Sequence, residues 1–220
     1  MTDVPLEMDL VVLAADGQTE FAVRGLLTRG NAIGFQNISF DIHVHPEKDP
    51  GCLLRGHDFL RPFYRQYRHA IVIFDREGSG KERCTRAELE HEVEQRLSSS
   101  GWQDRAAAIV IDPELEIWVW SGSPVVDEVL GWRGRPPGLA KWLKTEGFLR
   151  REPIKPDRPK EAMEQALRIV RKGRSSAIFR ELAERVSVNR CIDPAFLKLK
   201  ERLQKWFNAP SPGSITSPEC

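Results

Sequence analysis

Four stretches of the chain carry apolar side chains in patterns typical of β-strands. Residues 9–15, 69–74 and 106–111 are almost continuous apolar runs, as in strands that are buried on both faces of a sheet. Residues 34–44 instead alternate apolar and polar side chains with a period near two, which indicates a strand with one buried face. Segments with helical spacing separate these stretches. This alternation predicts an α/β fold, a mostly parallel sheet flanked by helices.

The clearest helix between these strands begins after Thr85, because Thr85 and Glu88 have the spacing of a capping box. Residues 131–137 are rich in Gly, Pro and Arg, and beyond them only helical patterns occur. The predicted helices cover residues 17–27, 53–68, 85–98, 139–145, 159–172, 175–188 and 194–207. We therefore predict an α/β domain over residues 1–130, a basic helical region over 131–207 and a disordered tail over 208–220.

The composition is that of a soluble globular protein. Hydrophobic residues make up 40% of the 220 residues and charged residues 30%. No apolar run approaches the ~18 residues needed to span a bilayer, and the first residues lack the basic and apolar parts of a signal peptide. The four cysteines form no CxxC pair, which favours reduced thiols. We therefore predict a cytoplasmic protein with no membrane partner.

The small net charge of +1 conceals two halves of opposite sign. Residues 1–132 contain 13 basic and 22 acidic side chains, whereas residues 133–207 contain 20 basic and 9 acidic ones. An acidic half that holds a metal ion, joined to a basic half that holds phosphates, suits a protein that acts on nucleic acid. The alternative is that the two halves attract each other and dock.

Carboxylates directly follow three of the predicted strands. Asp16 comes after the first apolar run, Asp75 and Glu77 come after residues 69–74, and Glu116 comes shortly after residues 106–111. Because parallel strands end at one edge of a sheet, these acids are expected to converge there on a hard cation such as Mg²⁺ or Mn²⁺. The alternative for each acid taken singly is helix capping, which stabilises a helix by ~0.3–1 kcal/mol without further function.

The three acidic segments resemble the motifs of Toprim domains. Residues 11–20, with Asp16-Gly17 and a later Glu20, are similar to the first motif, in which a strand ends in a Glu-Gly pair with another acid nearby. Residues 72–77, Val-Ile-Phe-Asp-Arg-Glu, are similar to the second motif, an Asp-x-Asp pair. Residues 113–118 resemble an acid-plus-aromatic motif of the small bacterial Toprim-like proteins of the OLD and RloB kind. The resemblance covers residues 9–121.

The resemblance implies a Toprim-like α/β domain and a metal-dependent nuclease or other phosphodiester-processing protein, with a role in bacterial anti-phage defence. It implies that Asp16, Asp75, Glu77 and Glu116 are catalytic residues and ligands of Mg²⁺ or Mn²⁺. Asp16 is one methylene shorter than the family's Glu, and Glu77 is one methylene longer than its second Asp. The alternative is therefore a non-catalytic Toprim-like subunit that binds a protein or nucleic-acid partner.

A short basic segment in the helical region is the predicted contact with DNA or RNA. It consists of Arg171, Lys172 and Arg174, with Ser175 at the start of the next predicted helix. Guanidinium and hydroxyl groups at a helix N-terminus suit phosphate. The alternative is that the serine only caps the helix and its basic neighbours are solvated. A protein partner in a defence complex is implied by the resemblance alone.

Overall fold

A four-stranded, entirely parallel β-sheet forms the centre of the protein. The computed structural model describes residues 8–121, 123–149, 155–187 and 191–208. The strands are β1 (Met8–Ala14), β2 (Phe40–Val44), β3 (Tyr67–Asp75) and β4 (Ala106–Ile111), in the spatial order β2-β1-β3-β4. The predicted α/β fold with a parallel sheet flanked by helices is therefore confirmed, and it is consistent with a Toprim-like architecture.

Helices connect the strands and cover both faces of the sheet. Those in the described residues are α1 (Gly17–Leu27), α2 (Gly30–Ile33), α3 (Lys48–Leu60), α4 (Arg86–Leu97), α5 (Glu116–Val119), α6 (Pro124–Val129), α7 (Leu139–Thr145), α8 (Pro159–Val170), α9 (Ser176–Arg185) and α10 (Pro194–Trp206). The capping box of α4 is present as predicted, with Thr85 and Glu88 each bonded to the other's backbone N–H. The predicted tail, residues 208–220, lies outside the described residues except for Asn208.

Two predicted elements have different limits in the structure. The strand predicted over residues 34–44 begins only at Phe40, because the chain first forms α2 and leaves it through Gly34 in the left-handed conformation (φ 99°). The helix predicted over residues 53–68 begins at Lys48 and ends at Leu60. Pro62 has no N–H with which to continue the helix, and the chain tightens there into a 3-10 turn.

The two faces of the sheet pack against different helices. Alternate residues of the strands, such as Val12 and Ile71, point into a core formed with α1, α2 and α5–α10. Their neighbours in sequence, such as Leu13 and Val72, pack against α3 and α4. Helices on both sides of the predicted domain boundary at residue 131 thus share one core, and the basic helical region covers one face of the sheet.

The outer edge of β4 is closed by charged side chains. The backbone N–H groups of Ala108 and Val110 donate to the carboxylates of Glu94 and Glu90 on α4, both at 3.1 Å. Lys198 of α10 lies 2.7 Å from Glu94 and 3.1 Å from Glu90. This arrangement satisfies backbone donors that would otherwise be free to pair with another strand.

Ion pairs join the acidic and basic halves of the chain. Besides Lys198, Arg185 of α9 contacts Glu128 of α6 at 2.8 Å. Basic residues of the C-terminal helices therefore dock on acids of the first half, as the simpler interpretation of the charge asymmetry predicted. Within the described ranges, no helix combines the length and the apolar content that crossing a membrane requires.

Candidate functional site at the carboxyl edge of the sheet

Asp16 lies at the carboxyl edge of the sheet, two residues beyond the end of β1, and caps α1. Its backbone is extended, and its Oδ1 accepts a hydrogen bond of 2.8 Å from the N–H of Thr19. The predicted alternative of helix capping is thus correct for Asp16. One carboxylate oxygen is engaged in the cap, and the residue is only half-buried. Capping and a role at the site are compatible, because the second oxygen is not needed for the cap.

Asp75 is the last residue of β3 and has the most unusual environment of the predicted acids. The residue as a whole is half-buried, but its Oδ1 is withdrawn from solvent and has no hydrogen-bond partner. Its backbone N–H donates to Oδ1 of Asp49 at 2.8 Å. A buried carboxylate oxygen without a partner is costly, because burial removes its water and nothing in the protein replaces it.

Asp49 is a member of the site that the sequence analysis missed. It lies in the first turn of α3, which follows β2, and so reaches the same edge of the sheet as the acids after β1 and β3. The start of α3 approaches the end of β2 closely at Gly51, where a Cβ would collide with the imidazole of His45. Like Asp16 and Asp75, Asp49 comes after a predicted strand, here the one over residues 34–44, and that position was the signal that could have identified it.

Glu114 and Glu116 follow β4, and each is paired with a basic residue of the C-terminal half. Glu116 is almost completely buried, with 2% of its side chain exposed, and forms an ion pair with Arg174. Lys160, in the first turn of α8, lies 3.4 Å from Glu114 and also donates its backbone N–H to that carboxylate at 3.2 Å. The site therefore contains protein cations as well as carboxylates.

Arg174 joins four structural elements at the edge of the site. Besides Glu116, its guanidinium donates to Gln18 of α1 at 2.6 Å and to Glu164 of α8 at 3.1 Å. The guanidinium also lies over the ring of Phe179 of α9, 5.6 Å from the centroid. Its Nε is buried and has no partner. Of the residues predicted to contact nucleic acid, Arg174 is therefore engaged with the acidic site.

The other predicted residues lie nearer the surface. Glu77 is exposed on the turn after β3, and it lacks the burial that distinguishes Asp75. Lys172 is exposed and donates to the backbone carbonyl of Val129 at 2.6 Å. Arg171 and Ser175 are exposed, and Ser175 occupies the N-cap of α9 without a side-chain capping bond. The charges of Asp16 and Glu116 thus act on Asp75, whereas Glu77 is exposed on the turn that follows it.

The carboxyl groups at this edge disfavour one another's charge. The pKa of Asp75 is raised well above its ordinary value, first by burial and then by the negative charges of Asp49, Glu116 and Asp16, while a hydrogen bond from the backbone of Leu115 opposes the rise. Burial likewise raises the pKa of Asp49, and Asp16 adds to the effect, while the N–H of Asp75 and the charge of Lys160 oppose it. Mutual perturbation of this kind is typical of sites that bind a cation or move a proton.

The residues supply the donors that a hard cation prefers, but they do not surround one. Carboxylate oxygens suit Mg²⁺ and Mn²⁺ as ligands. The Oδ1 of Asp75 has no hydrogen-bond partner and lies among other negatively charged groups. In the part of the chain that the structure describes, however, no three His, Cys, Asp or Glu side chains are arranged as a metal site. Glu116 is engaged instead by its ion pair with Arg174.

Comparisons with protein-family models, with curated proteins and with solved structures find no significant match to this chain.

Proposed function

We propose that the protein is a divalent-cation-dependent enzyme that processes phosphodiesters, with its active site at the carboxyl edge of the sheet. The observation that supports this proposal most strongly is the buried, unpartnered oxygen of Asp75 beside Asp49, Asp16 and Glu116. Structural ion pairs satisfy their carboxylates, whereas this one keeps an oxygen without a partner among charges of its own sign, with a hydrogen bond only from the backbone of Leu115 to oppose them. A cation would relieve both the repulsion and the missing contact.

Asp75, Asp49 and Asp16 are the residues that would hold Mg²⁺ or Mn²⁺, with Glu116 beside them. When bound, such an ion polarises a phosphodiester and lowers the pKa of an attacking water. The backbone contact from Asp75 to Asp49 orients two of these acids relative to each other. Lys160, whose side chain is half exposed beside the acids, would attract the negatively charged substrate.

We propose DNA or RNA as the substrate and a nuclease as the form of the enzyme. The motif resemblance supports this choice, and its link with anti-phage defence belongs to the same proposal. The exposed Arg171 and Ser175 lie in the connection between α8 and α9, on either side of Arg174, which reaches the acidic site. A phosphate backbone at this edge would meet them before it met the carboxylates.

The second candidate is a non-catalytic subunit that binds a protein or nucleic-acid partner. The ion pair between Arg174 and Glu116 favours it, because a cation of the protein itself already neutralises one acid of the site. The exposure of Glu77 favours it as well, since the position that matches the family's second Asp does not join the cluster.

Titration calorimetry with Mg²⁺ and Mn²⁺ distinguishes these candidates. The wild type should bind the ions. Asp75→Asn should reduce the heat to that of dilution, because it removes the negatively charged carboxylate at the centre of the proposed site. Glu77→Gln is the matched control, a neutralised acid two residues away that should bind like wild type. Identical heats for wild type and Asp75→Asn would refute the proposal.

Activity is then measured on plasmid, single-stranded DNA and RNA with the same three proteins. Cleavage by wild type and Glu77→Gln, but not by Asp75→Asn, is the expected result. Salt-sensitive nucleic-acid binding without cleavage would instead support the non-catalytic subunit.

A further inference from the structure

The two edges of the β-sheet differ in how their backbone groups are satisfied. At β4, carboxylates of α4 accept hydrogen bonds from the outward N–H groups. At β2, the carbonyl of Ser39 and the N–H of His45 bond to β1, and successive residues of a strand face opposite sides. Phe40, Ile42 and Val44 therefore turn their backbone groups away from β1, and no hydrogen bond from the described part of the chain reaches them. The outer edge of β2 is open to another strand.

The side chains of β2 do not prevent such pairing. Edge strands that stay unpaired commonly carry a lysine, a proline or a bulge. Residues 40–44, Phe-Asp-Ile-His-Val, contain no lysine or proline, and they pair with β1 in an unbroken register. Phe40, Ile42 and Val44 share one face of the sheet, where the first two are half-buried and Val44 is 38% exposed. A strand added at this edge would cover apolar surface and satisfy the outward backbone groups.

The β2 strand of a second copy complements this edge. In an antiparallel pair with Ile42 opposite Ile42 of the second copy, Phe40 lies opposite Val44, and all the outward N–H and C=O groups find partners. The same pairing places the exposed Asp41 opposite His43, once on each side of the two-fold axis. Side chains at such non-hydrogen-bonded positions approach most closely, and an acid opposite a basic side chain stabilises the pair.

Other registers of the two strands are less favourable. A shift by one step in one direction places Asp41 opposite Asp41 of the second copy, and like charges in that position repel. The opposite shift places His43 opposite His43, and Phe40 then faces Pro46, which has no N–H to donate. Charge complementarity thus favours a second copy as the occupant and selects the register centred on Ile42.

We propose that the outer edge of β2 is the interface of a two-fold symmetric homodimer. The two four-stranded sheets join there into one continuous sheet. Because the paired strands are antiparallel, the carboxyl edges of the two copies face opposite directions, and each copy keeps its own acidic edge. The inference is independent of the proposed function. The paired strand is short, so we expect a weak dimer, with a dissociation constant on the order of 10–100 µM.

Sedimentation equilibrium of the full chain, from about 1 to about 500 µM, tests the dimer. Asp41→Lys and His43→Glu should each raise the dissociation constant at least about tenfold, because each replaces both Asp–His pairs by two basic or two acidic side chains. Asp104→Lys is the matched control, since Asp104 is an exposed acid directly before β4, at the opposite edge of the sheet. It makes the same change of charge and should leave the dissociation constant within about twofold of wild type.

An equimolar mixture of the two interface variants tests the register. In the mixed dimer, the introduced lysine lies opposite the introduced glutamate, and the remaining Asp41 lies opposite the remaining His43. The mixture should therefore dimerise with a dissociation constant within about threefold of wild type. If the mixture associates no better than either variant alone, the proposed pairing is wrong.

Hydrogen exchange of the wild type covers the case in which the variants do not fold. The amide protons of Phe40, Ile42 and Val44 should lose protection when the protein is diluted below the dissociation constant. The amide proton of His45, which is bonded to the carbonyl of Ala14 at 2.9 Å, should exchange equally slowly at both concentrations. A chain that stays monomeric at about 500 µM would overturn the inference. Exchange of the three outward amides that does not depend on concentration would overturn it as well, because the edge would then be unpaired or covered by the same chain.

Discussion

Replacing Arg174 by glutamine should destabilise the metal-free protein and should do so in a manner that depends on pH. The change leaves Glu116, of which 2% is exposed, as a buried charge without its partner. Removing one member of a buried ion pair typically costs about 3–5 kcal/mol. Because the side chain of Arg174 is 24% exposed and water can partly replace it, we expect Arg174→Gln to lower the free energy of unfolding by about 3 kcal/mol at pH 8.

Glu116→Gln should lower the free energy of unfolding by less than Arg174→Gln does. Combining the two substitutions should cause little further loss of stability. Without Glu116, Arg174 keeps Gln18 and Glu164 as partners and remains in contact with solvent, so about 1–2 kcal/mol is expected. The double mutant contains no unpaired buried charge and should resemble Glu116→Gln. The coupling energy between the two positions is then about 3 kcal/mol.

Urea denaturation in buffer with a metal chelator measures these values. With a slope of about 2 kcal/mol per molar urea, Arg174→Gln should lower the midpoint by about 1.5 M at pH 8. Burial raises the pKa of Glu116, and the charge of Arg174 opposes that rise, so the pKa rises further in the variant. A raised pKa in the folded state favours the protonated acid. The deficit in unfolding free energy of Arg174→Gln relative to wild type should therefore shrink as the pH falls toward 5. A deficit below 1 kcal/mol, or one that does not change with pH, would refute the reasoning.

Three further predictions test other parts of the structure. Asp75→Asn should make the metal-free protein more stable at pH 8, because the raised pKa of Asp75 means that its ionisation destabilises the fold as the pH rises above 3.8. Urea midpoints should converge near pH 4, and a less stable variant at pH 8 would contradict the prediction. Gly25→Ala should cost about 1–3 kcal/mol in thermal unfolding, since its Cβ would lie 2.9 Å from atoms of α9. Gly173→Ala, with nothing within 4 Å of the new Cβ, is its control and should show no such loss. Burial lowers the pKa of His69, which stacks on Trp206, to about 4. The wild type should therefore lose stability between pH 6.5 and 4 relative to His69→Phe, and parallel pH profiles would show that this histidine is not responsible.

Local patterns were sufficient to predict most of the fold. The strands at Ala70–Phe74 and Ala106–Ile111 are apolar on both faces because helices cover both sides of the sheet, and such runs are visible without any partner. The cap at Thr85 depends on residues three positions apart, so it too can be identified locally. The start of β2 could not be identified, because the alternation over residues 34–44 extends beyond the residues that pair with β1.

The convergence of Asp16, Asp75 and Glu116 follows from strand order and direction, which the alternation of elements already implied. Which carboxylates are buried, and which cation neutralises them, depends on contacts between distant parts of the chain. Arg174 and Glu116 are 58 positions apart, and no periodicity relates them. Burial and charge are properties of a location in space, and only the packed structure distinguishes the withdrawn Asp75 from the solvated Glu77 two residues later.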